Sequence, residues 1–337
     1  MSWSTPTGQP TPRLRLAAAE KAALAEVGHA IQLRGDQPCW RQLQSLVSSS
    51  PLRLDSIQSG LDALSGTGRL DHLLITNLPR EEGLPLPPSH GRRPAAKTCW
   101  HSEASLLQLA KAAGLQPTAY LEEKRGALIH EIAPASGQAE ALSSAGRVSL
   151  GFHTDLAILK PQYRPEYLFL YGLINEQATP TLIASLDEAL HALAKLGQGM
   201  VDTLRQPRYR IASPAILRVW NGKTIVSEPR PLGSQSAAGV DAIAANLNAV
   251  TACDAQAAEA LEKFIALLPD VARPVVIAPG TALLFNNQRC LHGRPAIPPG
   301  RRWLQRLYCR HSLEELRHAT GAGPQVHTFS LRQLILE

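Results

Sequence analysis

Beyond about residue 125 the chain breaks into short runs, apolar or alternating, bounded by Gly, Pro and Asn; this pattern constrains the fold more than any other feature. Strands are expected at 127–132, 148–152, 167–174, 180–184, 209–211, 217–219, 275–277, 281–285 and 303–309. Two helices interrupt them, at 186–196 and at 254–268, the second with Ala258, Leu261, Phe264 and Leu268 as its apolar stripe. Many short strands after a helical opening imply a β sandwich or barrel with helices packed outside it.

The first third reads differently. Residues 1–12 are a Pro/Ser/Thr-rich tail, and 13–33 has helical spacing with Leu24, Val27 and Ile31 on one face. A second helix is expected at 41–48, a short buried strand at 68–77, a Pro/Gly-rich loop at 79–94 and a helix at 102–113 ended by Gly114. The expected organisation is one domain over 13–337, with an N-terminal elaboration at 13–120 and a lid insert at about 220–253. Its 337 residues can bury a full core without disulfides.

Composition narrows the class. With 44% hydrophobic and 18% charged residues the chain is expected to fold as a soluble globule, and no segment reaches the roughly 18 unbroken apolar residues of a membrane span. Five widely spaced cysteines (Cys39, Cys99, Cys253, Cys290, Cys309) without a C-x-x-C pair suit free thiols in a reducing cytoplasm, and no secretory signal opens the chain. The net charge of +6 favours anionic guests, but no Lys/Arg run with interleaved aromatics points to nucleic acid.

The chemistry is concentrated in two places. In Gly151-Phe152-His153-Thr154-Asp155 a His and an Asp two apart at a strand end can face one way and share a metal ion; the alternative is a polar turn closing the strand. Downstream, His292 beside Gly293 could complete two imidazoles and a carboxylate on one face of an iron. Arg306 and Arg310 have an even spacing and so share a strand face, and two guanidinium groups facing a cavity call for carboxylate guests.

Four segments carry a resemblance: EEKRGALIHEIAP (122–134), LGFHTD (150–155), ATPTLIAS (178–185) and PGTALLFNNQRCLHGRPAIPPGRRWLQRLYCR (279–310). In these the chain resembles the clavaminate-synthase-like branch of the Fe(II)- and 2-oxoglutarate-dependent oxygenases, which includes arginine and asparagine hydroxylases of peptide antibiotic synthesis. The resemblance implies an α+β fold with a mainly β core, a double-stranded β-helix or jelly roll with flanking helices. It implies Fe(II) held by His153, Asp155 and His292, with 2-oxoglutarate as cosubstrate, its distal carboxylate on Arg306 and Thr181 beside it, and O2 as oxidant.

It also implies an amino-acid substrate, free or carrier-bound, with its α-carboxylate on Arg310 and its α-ammonium on Glu123, or on Glu122 if the register differs by one. Hydroxylation of the β or γ carbon would follow. Arginine hydroxylases of the branch offer aspartates from the lid, where this chain has Asn246 and Asn248; a buried cation without a counter-charge is costly, so a neutral or amide-like side chain is favoured. Two other readings remain open at this point. A non-catalytic jelly roll could bind an anion in the same basic groove, and a zinc hydrolase could use the same three ligands, although it would leave the arginines without a role.

The remaining polar and aromatic residues near these segments have structural readings. Arg294 either fixes its loop or braces the site, His130 is a structural histidine, Trp303 is packing out of phase with Arg306, Cys290 is a buried small hydrophobe, and Asn286 and Asn287 close a turn.

Overall fold

The computed structural model describes residues 10–31, 40–88, 91–197, 199–213, 224–236 and 239–336. Cys39, the strand expected at 217–219, residues 1–9 of the tail, the end of the first helix and the start of the lid insert lie outside them. The elements run β1 (Arg13–Arg15), α1 (Ala18–Ala30), α2 (Trp40–Ser49), α3 (Asp55–Leu61), β2 (His72–Thr76), α4 (His101–Ala112), β3 (Gln116–Tyr120), β4 (Ile129–Ile132) and β5 (Leu150–His153). They continue with β6 (Tyr167–Asn175), β7 (Thr181–Ser185), α5 (Leu186–Leu196), α6 (Met200–Leu204), β8 (Tyr209–Ile211), β9 (Gly233–Gln235), β10 (Asp241–Ile243), β11 (Val250–Ala252) and α7 (Ala255–Val271). The chain closes with β12 (Arg273–Val275), β13 (Ala282–Asn286), β14 (Cys290–Arg294), β15 (Arg302–Arg310), α8 (Glu314–Thr320), β16 (Thr328–Phe329) and α9 (Leu331–Leu336).

Among the described residues, a large sheet orders β1-β2-β13-β6-β15-β3-β16 with β4 also paired to β15, and a smaller one orders β12-β7-β14-β5. Side-chain alternation sorts the core into layers. On β6, Tyr167, Phe169, Tyr171 and Leu173 face one cluster with α1 to α4, while Leu168 and Leu170 face a second cluster between the sheets. On β7, Ile183 joins that inter-sheet cluster, whereas Leu182 and Ala184 pack outward with α5 and α7. The layers are therefore helices, large sheet, small sheet, helices.

β15 obeys the same alternation, with Trp303, Leu307 and Cys309 outward and Leu304 and Tyr308 inward. Arg302, Arg306 and Arg310 share the parity of Leu304 and Tyr308, so the cations enter the space between the sheets. Behind β15 a buried knot locks it to α4. Lys97 Nζ lies 2.7 Å from both Glu81 and Glu103, and Gln305 donates to Glu103 at 3.0 Å and Glu131 at 2.9 Å. Burial, then the neighbouring Glu103, pushes the Glu131 carboxyl up to about 7.

Several expectations are corrected. The helix expected from residue 13 starts at Ala18, because Arg13–Arg15 pairs parallel with β2 and that non-local ladder overrides local helical spacing. The strand expected at 275–277 lies at Arg273–Val275, paired with β7. The described part of the 220–253 segment includes the β9/β10 hairpin and β11 on β8, with Ile243, Ala244 and Ala245 buried.

Candidate active site

Pairing of β14 with β5 sets His292 directly across from His153, and their ring centroids lie 4.2 Å apart. Asp155 follows two residues after His153. Its Oδ1 is 3.5 Å from Nε2 of His153 and 3.8 Å from Nε2 of His292, so one donor from each residue falls within 4.8 Å of the others. Nδ1 of His153 donates to the Gly151 carbonyl at 2.9 Å, which leaves Nε2 as a lone pair facing the carboxylate.

The charges suit a cation. Burial, then His153, drives the His292 imidazole down to about 3, so it stays neutral. Burial presses the Asp155 carboxyl upward, yet the Arg306 guanidinium outweighs it and holds the group well below its ordinary value. Two imidazoles and one carboxylate fit a divalent iron with positions left for other ligands. Sequence reading missed the support beneath them. Asn287, expected in a turn, is buried, accepts from the Asp155 backbone N–H at 2.8 Å and donates to the Asp155 and Pro165 carbonyls. An Asn pair after a strand signals a turn, and only its distant partners reveal this second use.

A cavity runs from these three residues between the sheets. His153, His292 and Arg306 line one part, Leu168, Leu170 and Leu304 its apolar wall, and Thr181, Gly293, Arg294 and Arg302 also border it. Thr181 stands two residues along β7 from Ile183, the register partner of His292, a step of about 7 Å. Arg302 is 4% exposed, and its Nε has no hydrogen-bond partner. Burial, then Arg294, brings it down to about 9, the mark of a cation short of a counter-charge. Arg294 does not share that need, since it donates to the carbonyls of Ser143, Gly146 and Val148 and so fixes the adjoining loop.

Arg306 lies against the His153, Asp155 and His292 cluster: Nη1 is 2.6 Å from Asp155 Oδ2, Nη2 2.8 Å from His130 Nδ1 and 3.5 Å from Glu123, and its guanidinium lies over the Tyr308 ring. Arg310 does not border the cavity; it pairs with Glu166 at 3.1 Å and donates to the Ser312 and Arg164 carbonyls. The physical reason is register. Arg302, Arg306 and Arg310 are equally spaced on one face, and only the pairing of Arg306 with His130 and Leu170 decides which one meets Asp155.

Glu123 is beside Arg306 and half-buried, and its buried Oε2 has no hydrogen-bond partner. Burial raises its carboxyl despite the pull of Arg306. Glu122 is not a substitute for it. The Glu122 carboxylate accepts from the Ser330 hydroxyl at 2.9 Å and the Leu331 N–H at 2.7 Å, fastening the start of α9. The lid asparagines do reach the triad's edge. The Asn246 backbone bridges to His153, and the Asn248 side chain lies over Gly151, where a Cβ would be 2.5 Å from its Oδ1.

Other expectations hold. Trp303 and Cys290 are fully buried, His130 is a buried partner of Arg306, and Asn286 does close a turn by accepting from Gln288 and Arg289. Cys99, Cys253, Cys290 and Cys309 are free thiols. Among the described residues no helix is long and apolar enough to cross a membrane.

Comparison with known proteins places the chain among iron oxygenases in sequence and fold. Residues 98–308 match the model of the family described as "Taurine catabolism dioxygenase TauD, TfdA family". The chain is 31% identical over 270 residues to the L-asparagine oxygenase of Streptomyces coelicolor, covering 75% of this chain and 77% of that one. It is 26% identical over 288 residues to clavaminate synthase 2 of Streptomyces clavuligerus, covering 83% and 86%. Among solved structures, an asparagine oxygenase complex with Fe(II), 2S,3S-3-hydroxyasparagine and succinate shares the fold, with a TM-score of 0.80 at 23% identity over 94% of this chain and 99% of that one. The non-heme iron oxygenase OrfP in complex with Fe gives 0.74 at 26% identity, over 95% and 100%.

Proposed function

The chain belongs to the TauD, TfdA dioxygenase family, and from that premise we propose that it is an Fe(II)- and 2-oxoglutarate-dependent hydroxylase of an amino acid. The two packed sheets are read as the double-stranded β-helix of such enzymes, with residues 13–120 as its elaboration. His153, Asp155 and His292 are the iron ligands, a role that suits two imidazoles and one ionised carboxylate with a donor from each within 4.8 Å. One observation carries the rest of the reading: two charged groups are left with buried, orphaned atoms, Arg302 Nε in the cavity and Glu123 Oε2 beside Arg306. Buried groups of this kind are costly unless a guest completes them.

Arg302 and Thr181 then take the distal carboxylate of 2-oxoglutarate, in place of the expected Arg306, with Leu168, Leu170 and Leu304 against its methylenes. Arg306 and Glu123 take the α-carboxylate and α-ammonium of the amino acid, in place of the expected Arg310 and Glu122. When bound, the iron with 2-oxoglutarate and dioxygen supplies an oxidant able to hydroxylate an unactivated C–H, with succinate and carbon dioxide as coproducts. The residues supply placement. Gripping the substrate at its α end beside Asp155 would present the β or γ carbon to the metal held there.

The 243–249 segment meets the site through the Asn246 backbone at His153 and the Asn248 side chain at Gly151 and brings no carboxylate there, so we read the substrate side chain as neutral or amide-like. The L-asparagine oxygenase relative favours the same class. The test is succinate formation across the common amino acids. An amide or neutral residue should stimulate it most, and arginine as the best substrate would overturn the side-chain reading.

A further inference from the structure

We propose that Tyr308 is a positioning residue whose hydroxyl holds Oδ2 of Asp155 away from the metal, so that Asp155 ligates through Oδ1 alone. This rests on the reading of His153, Asp155 and His292 as the ligand set. The carboxylate is divided in use. Oδ1 faces the two Nε2 atoms at 3.5 and 3.8 Å, while Oδ2 accepts from the Tyr308 hydroxyl at 3.0 Å and from Arg306 at 2.6 Å. A carboxylate free to turn can bring both oxygens onto an ion and fill a position that an open metal face needs.

Arg306 cannot carry this alone. It is the cation that an amino acid's carboxylate claims, and its Nη2 is already turned to His130. The Tyr308 hydroxyl stays in place when Arg306 is shared, because its ring cannot swing. The ring is 1% exposed, meets Tyr120 edge-on at 6.1 Å and His130 at 5.4 Å, and has the Arg306 guanidinium 4.4 Å over its face. Outer hydrogen bonds of this kind orient a ligand and contribute to metal affinity.

The test uses Co(II) on the full-length metal-free protein, comparing wild type, Tyr308→Phe and Tyr120→Phe. Phenylalanine keeps the ring contacts and removes only the hydroxyl. Tyr120 belongs to the same ring cluster but donates to the Tyr163 carbonyl at 2.7 Å, so its variant controls for packing. Tyr308→Phe should weaken Co(II) binding about tenfold and lower the intensity of its visible d–d bands as coordination number rises, with the metal-free unfolding midpoint little changed; Tyr120→Phe should do neither. Unchanged affinity and spectrum in Tyr308→Phe, or equal losses in both variants, overturns the role of Tyr308. A wild type that takes up no Co(II), or His292→Ala binding as tightly as wild type, overturns the ligand set itself.

Discussion

Replacing Arg302 with Met separates binding from stability more sharply than any other change in this site. The side chain is 4% exposed, lacks a partner at Nε and is pressed by burial and by Arg294. Its charge therefore costs the free protein on the order of several kcal/mol. A methionine of similar length removes that cost, and replacement of buried charge by apolar volume stabilises by about 1–4 kcal/mol, or several degrees at about 2–4 °C per kcal/mol. The same change removes the counter-charge for a dicarboxylate. Losing a buried charged hydrogen-bond partner costs about 2–5 kcal/mol, a rise of roughly 30-fold or more in the KM for 2-oxoglutarate. Succinate formation against 2-oxoglutarate concentration gives the first quantity, and thermal unfolding without cosubstrate gives the second. A variant that melts lower and keeps its KM within about threefold refutes the reasoning. If Arg306→Met alone raised that KM, the cosubstrate would belong on Arg306 after all.

Three further outcomes follow from the same geometry. Arg310→Met breaks the pair with Glu166 and the donations to the Ser312 and Arg164 carbonyls, so it should lower stability by about 1–3 kcal/mol in urea unfolding while both KM values hold. Burial raises the Glu123 carboxyl, so it becomes neutral at a higher pH than an ordinary glutamate; an ammonium guest needs the carboxylate, and the amino-acid KM should climb as pH falls through that raised value. Glu123→Gln should show a high KM without this acidic limb. Lys97→Met leaves Glu81 buried without its cation and Glu103 with Arg93 alone, and should cost about 3–5 kcal/mol, read by the unfolding midpoint in urea.

Much of this site is legible in the sequence because strand parity is local. His153 and Asp155 share a face by spacing of two, Trp303 falls out of phase with Arg306, and helix 186–196 lies where its apolar stripe places it. What parity cannot supply is register. It sets Arg302, Arg306 and Arg310 on one face but does not say which reaches Asp155, and counting from His292 gives Arg306 and Arg310 the guests that we assign to Arg302 and Arg306. That information lies in the pairing of β15 with β4 and β6, between residues far apart in the chain. The choice between Glu122 and Glu123 is hidden for a related reason. Lys124, Arg125 and Gly126 take left-handed φ of 46°, 58° and 74°, and the turn sends neighbouring carboxylates to different partners. Strand β14 escaped notice because Gly293 and Arg294 dilute its apolar run, although its ladder with β5 brings the two imidazoles together.

Anaerobic titration with Fe(II) and 2-oxoglutarate tests the central claim most directly. Wild type should develop the visible metal-to-ligand charge-transfer band of a chelated keto acid at one iron per chain, His292→Ala should not, and Arg302→Met should need far more 2-oxoglutarate to reach it. A wild type without the band, or a His292→Ala variant that retains it, would contradict the account.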